Sequence, residues 1–157
     1  MTRKLLVAAL VLVSATASVL MAQATRTADA ASVDVWKSPT CGCCAKWIDH
    51  MRKAGFTVKV TELEEPELQK IKAQHGVPTA ARSCHTARVA GYTVEGHVPA
   101  QEVKRLLSEK PEVAGIAVAG MPLGSPGMEV SGVKPQPYEV VSFDKSGATR
   151  VFSVQKP

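Results

Sequence analysis

The sequence has few aromatic residues, which make up 4% of its 157 positions, and no run of more than two basic residues. Nucleic-acid-binding surfaces usually combine clustered lysines and arginines with aromatic side chains that stack on bases. The formal net charge of +5 therefore indicates an ordinary solvated surface, and we expect no nucleic-acid partner. The sequence also lacks internal repeats and any segment that would form a second domain, so a single domain is expected.

The N-terminal apolar stretch is too interrupted by serine and threonine to predict a membrane-spanning helix. A positively charged start precedes the apolar residues 5–13, and small-x-small cleavage sites end at Ala24 and Ala30. This order is typical of a bacterial secretory signal peptide. We predict a signal peptide over residues 1–24, with cleavage after Ala30 as the alternative, and a mature periplasmic protein without membrane contact. An uncleaved membrane anchor is the competing interpretation.

The chain has four cysteines, and three of them, Cys41, Cys43 and Cys44, lie within four residues. The fourth, Cys84, directly precedes His85. A purely structural disulfide more often joins distant segments, because closing a longer loop removes more entropy from the unfolded chain. The clustering therefore favours a soft-metal site or a thiol redox site. Since adjacent cysteines pair only through a strained ring, the disulfide expected in an oxidising compartment joins Cys41 to Cys44.

Apolar periodicity and turn residues predict strands and helices in alternation, followed by a terminal hairpin. A right-handed crossover makes the first two strands parallel and sets the cysteine turn at the carboxyl end of the first strand. Residues 112–137 are rich in Gly, Pro and Met and predict a long loop, which is usually functional or disordered. The predicted strands are 33–36, 56–61, 87–90, 92–95, 138–143 and 149–154, and the predicted helices are 41–54, 66–75 and 99–110.

This order of elements, with a C-x-x-C pair opening the first helix and Val77-Pro78-Thr79 after the second, resembles the thioredoxin fold. The resemblance implies an α/β, thioredoxin-like domain over residues 33–157. It would contain a central mixed β-sheet flanked by helices, the Gly/Pro/Met-rich loop and a C-terminal β-hairpin. The resemblance also implies a cis peptide bond before Pro78, facing the cysteine pair.

Short motifs along the mature chain are Cys41-Gly42-Cys43-Cys44, Gly76-Val77-Pro78, Ser83-Cys84-His85-Thr86, Glu95-Gly96-His97-Val98-Pro99, Gly120-Met121-Pro122 and Ser125-Pro126-Gly127-Met128-Glu129. Together they resemble the CopG-like family of small exported proteins, long catalogued as a domain of unknown function and associated with copper resistance. The likeness extends from Val33 to Phe152. It implies that the cysteines bind copper and do not serve only as a redox dithiol.

The residues of the cysteine turn also bear on the choice between metal and redox chemistry. A helix N-terminus favours the thiolate form of Cys41 and Cys44, which serves both chemistries. A third thiol at Cys43 would invite wrong disulfides in an oxidoreductase, whereas it adds a ligand to a soft-metal site. Thiolates can bridge several Cu(I) ions, so four sulfurs could hold a polynuclear cluster. The alternative for Cys43 is a small buried side chain.

Other soft or borderline donors could complete such a site. Cys84 follows the Pro78 loop closely, whereas His85 is the weaker candidate because neighbours in a strand face opposite ways. His97 could equally cap a helix or lie on the surface. The methionines of the loop could be ligands or part of a lid, although methionine more often fills cores. The candidate metal ligands are Cys41, Cys43, Cys44, Cys84, His85, His97, Met121 and Met128, while His50 and His75 are expected to be solvated.

Copper, as Cu(I), is the expected metal, because an all-thiolate zinc site more often presents two separated C-x-x-C pairs. The first hypothesis is a periplasmic protein that sequesters Cu(I) or transfers it to other periplasmic copper-handling proteins. The alternative is a thiol or copper-linked oxidoreductase with Cys41 as nucleophile and Cys44 as resolving thiol. A structural module with an incidental disulfide is the third hypothesis.

Overall fold

The computed structural model describes residues 31–157, and the predicted signal peptide lies outside the described residues. None of the helices within 31–157 combines the length and apolarity needed to cross a membrane. The helices are α1 (Gly42–Lys53), α2 (Glu65–Gln74) and α3 (Ala100–Glu109). The strands are β1 (Ser32–Lys37), β2 (Thr57–Glu62), β3 (His85–Val89), β4 (Tyr92–Glu95), β5 (Gly115–Ala117), β6 (Tyr138–Phe143) and β7 (Thr149–Gln155).

The seven described strands form one mixed sheet in the order β2-β1-β3-β4-β5-β6-β7. β1 pairs with β2, and β4 with β5, in parallel; the other neighbours are antiparallel. The predicted α/β class, the parallel first pair of strands and the C-terminal hairpin of β6 and β7 are confirmed. The likeness to the thioredoxin fold stays a prediction.

Helix α1 is held to the sheet by one apolar face. Its buried residues are Cys44, Trp47, Ile48 and Met51, which follow the spacing i, i+3, i+4 and i+7. The three larger side chains join a core cluster that includes residues of β1, β3, β4 and α3. Burial of each such side chain stabilises the fold by roughly 1.5–3 kcal/mol relative to exposure. The predicted core face of the helix is therefore confirmed.

The pairing of β1 with β3 brings the cysteine turn and Cys84 to the same edge of the sheet. His85, the first residue of β3, lies opposite Lys37, the last residue of β1. Because the two strands are antiparallel, the start of β3 adjoins the end of β1, where the chain turns into α1. Cys84 directly precedes β3, so the fold carries it to the start of α1.

The prediction of a continuous loop over residues 112–137 is wrong at β5. This strand has only three residues, and its pairing partners are the distant strands β4 and β6, so no local periodicity reveals it. Gly115 is needed there because a Cβ would collide with the carbonyl oxygen of Thr93 and the ring of Phe143. Through β5 the terminal hairpin becomes part of the main sheet.

The predicted cis bond before Pro78 is also wrong, since the described residues contain no cis peptide bond. Pro78 is followed by a 3-10 turn at Thr79–Ala81, in which the Ala81 N–H donates to the Pro78 carbonyl at 2.9 Å. The trans isomer is the lower-energy form of most X-Pro bonds, and this turn needs no other.

Candidate metal centre

Four cysteine sulfurs meet at the N-terminal end of α1. Cys41 is the N-cap residue of the helix, Cys43 and Cys44 lie in its first turn, and Cys84 arrives from the start of β3. All four Sγ atoms lie within 4.8 Å of one another. Two thiolates bound to one ion at about 2.3 Å each lie at most about 4.6 Å apart. The spacing of the four sulfurs therefore fits a metal site with little rearrangement.

Two of these sulfurs are joined in the structure. Cys41 and Cys44 form a disulfide, as predicted, while Cys43 and Cys84 are free thiols. The Cys41 side chain is half-buried, whereas Cys44 is fully buried. Because the thiolate is the metal ligand, use of all four sulfurs requires reduction of this disulfide.

Two imidazoles extend the cluster on the side of Cys84. The Cys84 Sγ lies 3.0 Å from His97 Nε2 and 3.4 Å from His85 Nδ1. Both histidines are fully buried, which excludes the surface alternative for His97. Strand alternation predicts that Cys84 and His85 face opposite ways, but Cys84 lies in a bend before β3 and the alternation does not extend to it.

Hydrogen bonding determines the tautomer of His97. Its Nδ1 lies 2.8 Å from the carbonyl oxygen of Pro126. A carbonyl only accepts, so Nδ1 carries the proton and Nε2 presents a lone pair towards Cys84. A histidine ligand in a metal site typically has its second nitrogen fixed in this way. The Nε2 atom of His85, by contrast, is buried without a hydrogen-bond partner.

The electrostatics of the cluster favour neutral imidazoles. Burial lowers the pKa of His85 well below its ordinary value, and the neighbouring His97 lowers it further. Burial also lowers the pKa of His97, against the opposing effect of its hydrogen bond to Pro126. Burial first, and the neighbouring Cys43 second, raise the pKa of the Cys84 thiol to about 12. A bound cation would reverse this effect, because metal binding displaces the thiol proton.

The Gly/Pro/Met-rich loop is fastened to the cluster by its backbone. The Ser83 hydroxyl donates to the Gly120 carbonyl, and the Pro126 carbonyl accepts the His97 proton described above. Gly127 packs so closely on α1 that a Cβ would lie 2.7 Å from the Cys43 carbonyl oxygen. The loop thus contacts residues of the site at two points, Gly120 and the Pro126–Gly127 pair.

The two methionines of this loop differ in exposure. Met121 is 52% exposed, whereas Met128 is half-buried. Each lies next to a residue that anchors the loop, Gly120 in one case and Gly127 in the other. Their role as ligands or as a lid stays a prediction.

Sequence reasoning missed a buried ion pair beside the cluster. Lys72 on α2 and Glu95 on β4 are almost completely buried, with Nζ 2.7 Å from Oε1. Burial raises the pKa of Glu95, and the charge of Lys72 opposes this rise. The available signal was a lysine four residues after Leu68, on the buried face of α2, and an acidic residue in a strand that is otherwise apolar or hydroxyl-bearing.

The expectation that His50 and His75 are solvated is wrong in detail. His50 is half-buried, and its Nε2 accepts the Ala100 N–H at 3.0 Å, which caps the first turn of α3. His75 packs against Trp36, with ring centroids 5.0 Å apart. Neither belongs to the metal-ligand groups of the described residues. Trp47 has the predicted packing role and also donates from Nε1 to the Val98 carbonyl at 2.8 Å.

Comparisons with known proteins identify relatives of this arrangement. A family model described as "Protein of unknown function, DUF411" matches residues 81–128. No curated protein matches the chain. Two solved structures, named "Copper resistance protein copG" Form 2 and Form 1, are each 38% identical to the chain with a TM-score of 0.74. The first covers 81% of this chain and 99% of its own, and the second 80% and 98%. The resemblance predicted from the motifs is confirmed: the chain belongs to the CopG family.

Proposed function

We propose that the protein binds copper in the periplasm, sequesters Cu(I) or passes it to another copper-handling protein, and so contributes to copper resistance. The observation that carries this proposal is the convergence of four cysteine sulfurs within 4.8 Å of one another. Thiolates are the ligands that Cu(I) prefers, and the relatives are named copper resistance proteins.

The proposed ligands are Cys41, Cys43, Cys44 and Cys84, with the disulfide reduced. Thiolates can bridge metal ions, so the cluster could hold more than one Cu(I). We assign the neutral imidazoles His97 and His85 as further donors, because both rings present a nitrogen to the Cys84 sulfur. Met121 and Met128 are proposed as thioether donors or as a lid, in line with the loop contacts around the site.

The periplasmic location rests on the predicted signal peptide of residues 1–24, which precedes the proposed domain of residues 33–157. An oxidising compartment is consistent with the disulfide between Cys41 and Cys44. Measuring the mass of the mature protein and its release from the periplasm tests both parts of this assignment.

Copper counting tests the metal site. The mature protein is reduced and loaded with Cu(I) under anaerobic conditions, and copper per chain is measured after gel filtration. We expect at least one bound copper in the wild type, a clear loss in Cys43→Ser and Cys84→Ser, and no loss in His75→Gln. His75 is the control because it is a histidine outside the cluster. Equal copper contents in all four proteins would refute the proposal.

Thiol–disulfide exchange is a second candidate function, and the observed disulfide favours it. An incoming thiolate of a dithiol would bond to the half-buried Cys41 sulfur, break the S–S bond and release the Cys44 sulfur as a thiolate. The second thiolate of the dithiol would then release Cys41 and leave the partner as a disulfide. The oxidised protein should titrate two thiols, Cys43 and Cys84, and four after reduction.

Insulin reduction distinguishes the two candidates. An oxidoreductase would accelerate reduction of insulin by dithiothreitol, lose this activity in Cys41→Ser, and keep it in Cys84→Ser. A copper-binding protein would show little acceleration, together with the copper losses described above. Strong acceleration of insulin reduction, together with unchanged copper contents in Cys43→Ser and Cys84→Ser, would favour the enzyme.

A further inference from the structure

Two buried charged side chains lie beside the segment that carries Cys84, and the proposed metal binding does not use them as ligands. Lys72 is 1% exposed and Glu95 is 0% exposed. Their ion pair joins α2 to β4, with Nζ 2.7 Å from Oε1. Buried ion pairs contribute little net stability compared with apolar residues of similar size. A role in geometry therefore accounts for this pair better than a role in stability.

The contacts of Glu95 show which geometry it holds. Its Oε1 accepts the Ser83 N–H at 2.7 Å, and its Oε2 accepts the Thr86 hydroxyl at 2.7 Å. Lys72 also donates to Thr86 Oγ1 at 3.2 Å. Ser83 and Thr86 flank Cys84 and His85, so one carboxylate holds the chain on both sides of these two donors.

Cys84 depends on such support more than the other thiols do. Cys41, Cys43 and Cys44 belong to one helix start, so the helix backbone determines their spacing. The Cys84 sulfur reaches them through tertiary contacts, among them the pairing of β1 with β3. Metal donors have to be held within about 0.5 Å of their working positions, which surrounding hydrogen bonds achieve.

We propose that Lys72 and Glu95 are positioning residues that hold the Cys84 sulfur against the helix thiols and thereby set the affinity of the site for Cu(I). The effect on affinity rests on the proposed copper function. The effect on the position of Cys84 does not, because it follows from the hydrogen bonds alone. The two parts can be tested separately.

Three variants probe the pair. Lys72→Met/Glu95→Met removes both charges and the acceptors for Ser83 and Thr86, with side chains of similar size, and leaves no unpaired buried charge. Thr86→Val removes only the hydroxyl between the two charges, in a side chain of the same shape, and Thr86→Ser restores the hydroxyl. Val103→Ala is the control for general destabilisation, because Val103 is fully buried in α3. It is not among the residues that hydrogen-bond to Lys72 or Glu95.

The first readout is Cu(I) affinity, measured by competition with a chromogenic Cu(I) chelator. We expect the double variant and Thr86→Val to bind about 10- to 100-fold more weakly than the wild type. Thr86→Ser and Val103→Ala should bind as the wild type does. Co(II) substitution adds a spectroscopic signature, since its visible d–d bands should shift in the first two variants only. Wild-type affinity and spectra in Thr86→Val, whether or not the double variant folds, would overturn the proposal.

The second readout needs no metal. In the oxidised protein only Cys43 and Cys84 are free, and their alkylation by iodoacetamide is followed by peptide mass analysis. Release of the Cys84 segment should raise the rate at Cys84 relative to Cys43 by about tenfold in Thr86→Val. An unchanged ratio would overturn the positioning role even if copper binding is real. A raised ratio in a chain that binds no Cu(I) would uphold it while the copper function fails.

Discussion

Gly96 is the residue on which the approach of β4 to the Cys84 segment depends. Its φ is +71°, and a Cβ would lie 2.5 Å from the Ser83 Cβ and 2.6 Å from the Val118 carbonyl oxygen. We expect Gly96→Ala to lower the free energy of unfolding by about 1–3 kcal/mol through overpacking, beyond the roughly 1–2 kcal/mol that a left-handed φ costs an alanine. Urea denaturation measures the total.

Gly76 provides the matched control for this prediction. Its φ of +68° is nearly the same, but nothing lies within 4 Å of the position of its Cβ. Gly76→Ala should therefore show the conformational cost alone and leave copper content unchanged, whereas Gly96→Ala should lose copper. Equal losses of stability in the two variants would mean that Ser83 and the Val118 carbonyl both move aside without cost.

His50 predicts a pH dependence at the contact between α1 and α3. Burial lowers its pKa, with Lys53 contributing in the same direction and Glu129 opposing, and its unprotonated Nε2 caps Ala100. Below its ordinary pKa of about 6.5 the unfolded chain therefore binds more protons than the folded protein, so the free energy of unfolding falls as the pH drops. The side chain is only half-buried, and screening by solvent keeps this slope well below the roughly 1.4 kcal/mol per pH unit of a full proton.

The measurement is urea denaturation between pH 7.5 and pH 5.5 for the wild type and His50→Gln. A glutamine can still accept the Ala100 N–H but does not titrate. The variant should therefore lose less stability on acidification than the wild type, while the other three histidines contribute equally to both. An equal loss of unfolding free energy in the two proteins would show that protonation of His50 does not weaken its contact with Ala100.

At the scale of elements, the Gly/Pro/Met-rich loop packs against the first turns of α1 at Gly127. Gly127 has a φ of +89°, and a Cβ there would lie 2.7 Å from the Cys43 carbonyl oxygen and 3.0 Å from the Trp47 backbone nitrogen. We expect Gly127→Ala to separate the loop from the helix and lower the free energy of unfolding by about 1–3 kcal/mol more than Gly132→Ala does. Gly132 lies in the same loop, with a φ of +78° and open space around it.

The same pair of variants tests whether the loop covers the metal site. A chelator should extract Cu(I) several times faster from Gly127→Ala than from the wild type, because a loop that covers the sulfurs would slow the access of the chelator. Gly132→Ala should release copper at the wild-type rate. Similar rates in all three proteins would assign the loop a role in stability alone.

Elements with strong local patterns were predictable, and those defined by distant partners were not. The apolar spacing in α1 and the alternation in β1 predicted both elements close to their observed bounds, because each pattern lies within one segment. β5 escaped because its three residues become a strand only through β4 and β6. The bond before Pro78 was mispredicted because the cis isomer was expected from the resemblance to the thioredoxin fold and not from a local pattern, and the bond is trans.

The candidate site divides in the same way. Spacing alone predicted that Cys41, Cys43 and Cys44 lie together, since one helix start carries them. The contact of His97 with Cys84 depends on tertiary packing, and the sequence left a surface histidine open as an alternative. A lysine on the apolar face of a helix, such as Lys72, is a useful sequence signal. If such a lysine is buried, it requires a buried acid elsewhere in the fold.

At the scale of the whole molecule, one sheet connects the terminal hairpin to the cysteine cluster. Phe143, at the end of β6, is 1% exposed and packs in a second core cluster with Val77, Ala81 and Ala117. Ala81 lies three residues before Cys84, in the turn that leads to the site. This apolar cluster therefore links the C-terminal hairpin to the turn that precedes Cys84.

Phe143→Ala should accordingly affect both stability and copper binding. Removing a fully buried aromatic side chain lowers the free energy of unfolding by about 3–5 kcal/mol, and in a single cooperative domain the whole protein should unfold in one earlier transition. Phe152→Ala is the matched control, because the Phe152 ring is half-buried and its centroid lies 4.4 Å from Cζ of the Arg105 guanidinium. Loss of this ring should lower the free energy of unfolding by about 1 kcal/mol. Under conditions where both variants are folded, Phe143→Ala should bind Cu(I) more weakly and Phe152→Ala normally. Two separate unfolding transitions in Phe143→Ala, with copper binding intact, would instead show that the hairpin is an independent appendage of the sheet.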